Sequence, residues 1–211
     1  MSYTLHPSER LVTLFKKKPW QGNDPAKAQF LFIGLDANYA PDIEKTLPEI
    51  FSYLDSGVEF WRTKGVHHPF RLSHYQGSGK KYHDKFAEIG FTPKHAELVS
   101  FVELLHVPTT GVSFLKAADL SRDHLDFLMS LVDSGNAKYV FLSPQVSSIL
   151  RQTKVFPWLG RTPSRMDGDL AVLRERNGQI IYQMYHLSCF GWQLNVLNRQ
   201  ISQIRKIVES L

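Results

Sequence analysis

Cysteine is nearly absent: Cys189 is the one thiol in 211 residues. A single thiol excludes an intramolecular disulfide and any four-cysteine zinc or iron–sulfur centre. It fits a reducing, cytoplasmic setting. No apolar run reaches membrane-spanning length, so no membrane partner is expected. The opening residues, Met-Ser-Tyr-Thr-Leu-His-Pro, lack the long apolar core of a secretion signal. There is no internal repeat and no low-complexity tract. Neither sign of charge dominates: 25 Lys and Arg against 20 Asp and Glu leave +5, a mild basic balance compatible with a polyanionic partner. Metal-ligand spacing is also missing. His67 and His68 are adjacent, would point to opposite sides of an extended strand, and have no Cys, Asp or Glu at a matching interval. No metal and no cofactor is expected. Cys189 with His186 has no indicated third group to orient a nucleophilic pair.

What is present is ordinary globular material, 43% hydrophobic and 21% charged, long enough for a substantial core in a single domain, 1–211. The chain is organised around Gln29-Phe-Leu-Phe-Ile-Gly-Leu-Asp-Ala-Asn-Tyr-Ala-Pro41. Its apolar run reads as a strand buried on both faces, roughly residues 29–35. Gly34 permits a tight turn. Asp36 and Asn38 then stand just outside the carboxyl end of the strand, where open α/β sheets put their chemistry. At this level Asp36 is either a functional carboxylate or a cap for the segment after Pro41.

Strands and helices alternate along the rest of the chain. Pro7 and Ser8 open a helix that ends in Lys16-Lys17-Lys18. Apolar positions from Ile43 to Leu54 predict helix interrupted at Pro48. The stretch 58–70 is aromatic and basic without a clear period, and Gln76-Gly-Ser-Gly-Lys-Lys81 is a flexible basic loop. A helix follows from Lys80 to Ile89, then a strand over 96–105, a helix opened by Ser121 and closed by Gly135, and a short strand at 139–142. Ser143-Pro144 starts another helix. Asn177-Gly178 marks a hairpin between strands near 169–176 and 179–185, and the last helix runs to the C-terminus. The pattern predicts a three-layer α/β/α sandwich with a mainly parallel central sheet. A second chemically loaded turn, around His186, ends the last strand.

Five pieces, in order over roughly residues 29–192, resemble the uracil-DNA glycosylase superfamily. Gly34-Leu-Asp-Ala-Asn38 is similar to its first motif, a strand ending in Gly, any residue, then a polar residue. Pro69-Phe70, Gln76-Gly-Ser-Gly79 and Phe86-Ala-Glu-Ile-Gly90 resemble the series found in its iron–sulfur branch. Glu97-Leu-Val-Ser-Phe-Val102 leading to Val107-Pro108, then Lys138 to Ser147, then Tyr182-Gln-Met-Tyr-His-Leu-Ser188 complete the order. This chain has Ala37 and Leu187 where the family usually has proline. It lacks the cluster cysteines and has no Asn at the base-reading position, where Ser100 or Phe101 falls.

The resemblance implies a uracil-DNA glycosylase-like fold and a hydrolase that removes a damaged or deaminated base, such as uracil, from double- or single-stranded DNA in base-excision repair. It implies Asp36 assisting water or the sugar cation, and His186 assisting the departing base. A flipped base needs a pocket, for which Gly34, Leu35, Asn38, Phe70, Ser100 and Ser188 are the substrate-binding candidates, Phe70 being otherwise a core residue. Phe190 and Trp192 are candidate wedges, or else packing of the last helix. Lys80, Lys81, Ser143 and Ser188 are candidate phosphate contacts, the two lysines alternatively a solvated loop. The second expectation is a nucleobase- or nucleic-acid-binding module of the same fold without cleavage. The third is an unrelated α/β enzyme on a small substrate.

Overall fold

Phe30-Leu-Phe-Ile33 is buried on both faces, and a strand with that pattern belongs at the centre of a sheet. The computed structural model, which describes residues 2–211, puts it there. In chain order the elements are β1 (Thr4–Leu5), α1 (Glu9–Lys17), β2 (Trp20–Gly22), β3 (Phe30–Gly34), α2 (Ile43–Thr46), α3 (Glu49–Asp55), α4 (Gly57–Lys64), α5 (Lys80–Ala87), β4 (Val99–Glu103), β5 (Thr109–Thr110), α6 (Arg122–Ser134), β6 (Tyr139–Leu142), α7 (Pro144–Thr153), β7 (Arg165–Asp167), β8 (Leu170–Arg176), β9 (Gln179–Gln183) and α8 (Trp192–Glu209). The main sheet has seven strands in the order β2-β4-β3-β6-β9-β8-β7. β4, β3, β6 and β9 are parallel. The edges are antiparallel, so the sheet is mixed around a parallel centre rather than mainly parallel throughout.

Register in the parallel centre is set by rings on one face. Phe101, Phe32, Phe141 and Tyr182 stand opposite one another on four neighbouring strands. Phe32 stacks on Phe141 at 4.7 Å and on Phe101 at 5.5 Å, and Phe141 stacks on Tyr182 at 5.7 Å. Cross-strand aromatic pairs of this kind hold register as well as burying area. α5 and α8 cover this face through Phe86, Leu197, Ile201 and Ile204. α6 and α7 cover the other through Leu125, Leu128, Val146 and Leu150, packed on Leu31, Val102 and Val140. The chain leaves β3 first to one side, for β4, and later to the other, for β6. The carboxyl end of β3 is therefore a topological switch point, where open sheets form a crevice.

A third apolar cluster closes that end of the sheet: Leu11, Phe15, Ala37, Tyr39, Ile43, Ile50, Tyr53 and Phe70. Pro48 divides α2 from α3. Lys18 donates from Nζ to the carbonyls of Leu54 and Asp55, at 2.9 and 3.0 Å, and so satisfies the open end of α3. The aperiodic stretch at 58–70 contains α4, capped by Ser56 and stopped by Gly65. Its period is hidden because two faces are buried: Phe60 packs in the third cluster and Trp61 beneath the sheet. The expected strand at 96–105 starts only at Val99, after a 3-10 turn over Pro93–Leu98.

Candidate functional site

The carboxyl ends of β3, β4 and β9 open into a cavity of about 270 Å³, near the lower end of small-molecule pockets and suited to one planar ring. Gly34, Leu35, Asp36, Asn38, Phe70, His186 and Ser188 all line it. These residues are separated by up to 154 positions in the chain, and the switch-point topology brings them together.

Asp36 is held by the segment that follows β4. The loop after β3 is laced to that segment by backbone bonds, Leu105 N–H to Leu35, Thr109 N–H to Ala37 and Tyr39 N–H to the Thr109 carbonyl, at 3.0, 2.9 and 3.0 Å. Ala37 and Tyr39 are buried and Asp36 and Asn38, alternating with them, are half-buried; all four line the cavity. Oδ2 of Asp36 accepts hydrogen bonds from the Thr109 hydroxyl and from the Ser113 hydroxyl at 2.7 Å. Asn38 donates from Nδ2 to Thr109 Oγ1 at 3.0 Å and to the Gly111 carbonyl at 2.8 Å, and reaches Asp36 Oδ2 at 3.5 Å. Oδ1 of Asp36 has no protein partner among the described residues. The cap alternative for Asp36 does not apply, because Asp42 occupies the N-cap position of α2.

His186 comes from the loop after β9. Leu187 and Cys189 are buried, whereas His186 and Phe190 are exposed; this alternation presents the histidine at the cavity rim. Leu187, standing where the resembled family has proline, is an anchor in the core beneath α8. The Ser188 N–H donates to Nδ1 of His186 at 3.2 Å. In the neutral ring the proton is then on Nε2, which remains a donor. Desolvation lowers the imidazole's pKa and the Asp36 carboxylate acts in the opposite direction. The Tyr82 ring lies 5.2 Å from it.

Phe70 forms an apolar wall. It stacks on Tyr75 at 4.5 Å and meets Tyr39 edge-on, so it is at once a core residue and a cavity residue. The glycine loop packs closely against this wall. Gly79 has φ +85°, and a Cβ there would strike the Phe70 ring. His68 accepts the Phe70 N–H on Nδ1 at 3.1 Å and stacks on His83 at 3.7 Å. Burial lowers all three neighbouring imidazoles, His67, His68 and His83, the last to about 3. The rings stay neutral, His68 and His83 also line the cavity, and no metal-ligating group of three forms among the described residues.

Other expected positions lie elsewhere. Ser100 is fully buried, donates to the Gln21 carbonyl at 3.4 Å and is absent from the cavity wall; Phe101, one residue on and on the opposite face, lines it. Ser143 accepts the Val146 N–H as the cap of α7 and is buried. Lys80 pairs with Asp84 at 3.0 Å. Lys81 donates to the Cys189 carbonyl at 3.3 Å, tying α5 to the His186 loop. Phe190 and Trp192 are 80% and 67% exposed, and Val112 and Phe114, on either side of Ser113, are 75% and 72% exposed. The loops carrying Ser113 and His186 thus both present exposed apolar side chains, Trp192 resting edge-on against Tyr185 at 5.6 Å.

Sequence reasoning missed Gln21, His68, Tyr82, His83 and above all Glu103. Glu103 is the last residue of β4, paired in register with Gly34, and lines the cavity. A Cβ on Gly34 would overlap its carboxyl group. Among the described residues that carboxyl has no hydrogen-bond partner. Burial, reinforced by Asp36, pushes it up from 4.5 to about 8. The signal was in the sequence: Glu103 is the first charged residue at the end of a buried apolar run, as Asp36 is just after β3. No protein-family model and no curated protein sequence matches the chain.

Proposed function

We propose that the chain is a DNA glycosylase-like hydrolase of the uracil-DNA glycosylase type. The observation that carries the reading is the convergence of Asp36, His186 and Phe70 on one ring-sized cavity at the switch point of the sheet. Cleavage of an N-glycosidic bond leaves its electron pair on the base and positive charge on the sugar, and a catalyst must meet both. In the proposed reaction Asp36 faces the sugar. Its Oδ2 is fixed by Thr109, Ser113 and Asn38, which leaves Oδ1 to orient water and take its proton as the hydroxyl joins C1′. His186 donates from Nε2 to a base oxygen as negative charge grows there. The base departs as an anion and is then protonated by solvent. Phe70 stacks on the extruded ring, and Phe190 with Trp192 fills the gap left in the DNA.

The test is abasic-site formation on oligonucleotides carrying a single uracil, hypoxanthine or mismatched base. Release that falls by about 100-fold or more in Asp36→Asn and in His186→Ala supports the assignment; release unchanged in both overturns it. A gel shift on the same oligonucleotides separates the second reading, a binding module of this fold. β4 carries no Asn where the resembled family has its base-reading residue, which favours that module, and binding without abasic product would select it.

A further inference from the structure

We propose that residues 2–8 form a strap that sets the orientation of Asp36, with His6 as the positioning residue that pins it. Resting on the role given to Asp36 above, this makes a segment outside the cavity wall part of the geometry of the site.

Asp36 is held by hydroxyls from a segment with little regular structure of its own. Between β4 and α6 there are only β5, two residues long, and a 3-10 turn over Ala117–Asp119. Thr109 and Ser113, which donate to Asp36 Oδ2, both come from here. Thr109 spends its N–H and carbonyl on Ala37 and Tyr39, forming a bridge with Asn38 between them. The opposite edge of β5 belongs to β1. Thr4 stands antiparallel to Thr110 and Leu5 to Thr109. The His6 N–H donates to the Pro108 carbonyl at 3.0 Å, and the Phe114 N–H to the Ser2 carbonyl at 2.8 Å. The segment that orients Asp36 is therefore clamped between the loop it orients and the strap.

His6 closes the clamp. Among residues 2–10 it alone is buried. Its Nδ1 accepts the Ser8 N–H at 3.0 Å, so in the neutral ring the proton is on Nε2. Nε2 donates to the Ala40 carbonyl at 2.9 Å, and the ring meets Tyr39 edge-on at 6.3 Å. His186 is built in the same way, with the Ser188 N–H on its Nδ1. His186 keeps its Nε2 donor for the cavity, whereas His6 uses it on the loop that carries Asp36. Ser8 then caps α1, whose Phe15 packs on Tyr39. The strap thus grips both sides of the carboxylate, 108–114 through the backbone and 36–40 through His6. Thr4 and Leu5 are exposed, so β1 gains little from burial and depends on these bonds. A displaced carboxylate costs rate rather than affinity, because alignment with the reacting atoms is what is lost.

The experiment uses the full chain and two variants. His6→Asn keeps an acceptor for the Ser8 N–H but is too short to reach Ala40. His6→Gln places an amide donor near the position of Nε2. On whichever of the oligonucleotides above wild type cleaves, His6→Asn should lose about tenfold in kcat with KM unchanged, and His6→Gln should recover most of it. Amide hydrogen exchange read by NMR does not depend on activity. In His6→Asn the Tyr39 and Thr109 amides should exchange about tenfold faster, with those of β3 and β4 unchanged. Protection lost evenly across the main sheet, a change confined to KM, equal losses in both variants, or kcat or exchange at the wild-type level in His6→Asn overturns the proposal. If Asp36→Asn abolishes release while His6→Asn matches wild type, the glycosylase reading stands and the strap falls. If wild type cleaves none of the oligonucleotides, that reading falls and the exchange result alone decides the strap.

Discussion

At the scale of single residues, the cavity holds two carboxyl groups, Asp36 and Glu103, in different surroundings. Glu103 has a stability consequence apart from any ligand. An acid raised in the folded state keeps a proton that the unfolded chain releases above about 4.5. Its burial therefore lowers stability as pH rises through the window from 4.5 to about 8, and the penalty levels off above that. Glu103→Gln is expected to stabilise the fold by about 2 kcal/mol at pH 7 and by little at pH 4, read by denaturant melts at the two pH values. An equal gain at both would contradict the protonated assignment. Asn38 acts through Asp36: it ties Thr109 and Gly111 to the loop that carries the carboxylate. Asn38→Ala should cost about tenfold in kcat with KM little changed, and Asn38→Ser should recover part of it; a loss confined to KM would instead make Asn38 a binding residue.

At the scale of elements, the two loaded turns were legible because each follows a short buried run with a polar residue: Asp36 after β3 and His186 after β9. Asn177-Gly178 was legible as a hairpin for a backbone reason, both residues having positive φ, 52° and 79°. β2 was not. Trp20-Gln-Gly22 is three residues long and mixed in polarity, and becomes a strand only by pairing with β4; Gln21 was lost from the site with it. Ser100 shows the limit of a register read by motif alone, since one step along a strand moves a side chain to the other face. The glycine loop makes a testable element. Gly79→Ala combines strained backbone with a clash against Phe70, and should destabilise by about 1 to 3 kcal/mol while weakening binding of a stacked base more than phosphate contacts. Thermal melts and oligonucleotide titrations check it; a melt and affinity equal to wild type would remove Phe70 from the wall. The exposed aromatics make another. Phe190→Ala with Trp192→Ala should reduce affinity for duplex substrate by about tenfold and for single-stranded substrate much less, because a wedge replaces a stacked base only in a helix. Equal losses on both would argue against the wedge.

At the scale of the whole molecule, the alternation of strands and helices gave the layered α/β plan, and the structure shows its physical basis in two apolar clusters on opposite faces of β3, β4 and β6. The parallel centre could be anticipated from near-continuous apolar strands and the antiparallel β8–β9 pair from Asn177-Gly178, whereas the outermost strands β2 and β7 could not, because they carry too few apolar residues to mark them. No helix among the described residues is long and apolar enough to cross a membrane. The site could be read only in part, because its wall is assembled by topology: Glu103 acquires meaning only when β4 is seen beside β3. The central claim is that Asp36 and His186 cooperate in releasing a base from DNA. The most direct measurement is the single-turnover rate of abasic-site formation on a uracil-containing oligonucleotide for wild type, Asp36→Asn, His186→Ala and the double variant. The account expects each single variant to lose about 100-fold or more, with the double variant losing less than the product because the two groups serve one transition state. Wild-type release that both substitutions leave unchanged would contradict it.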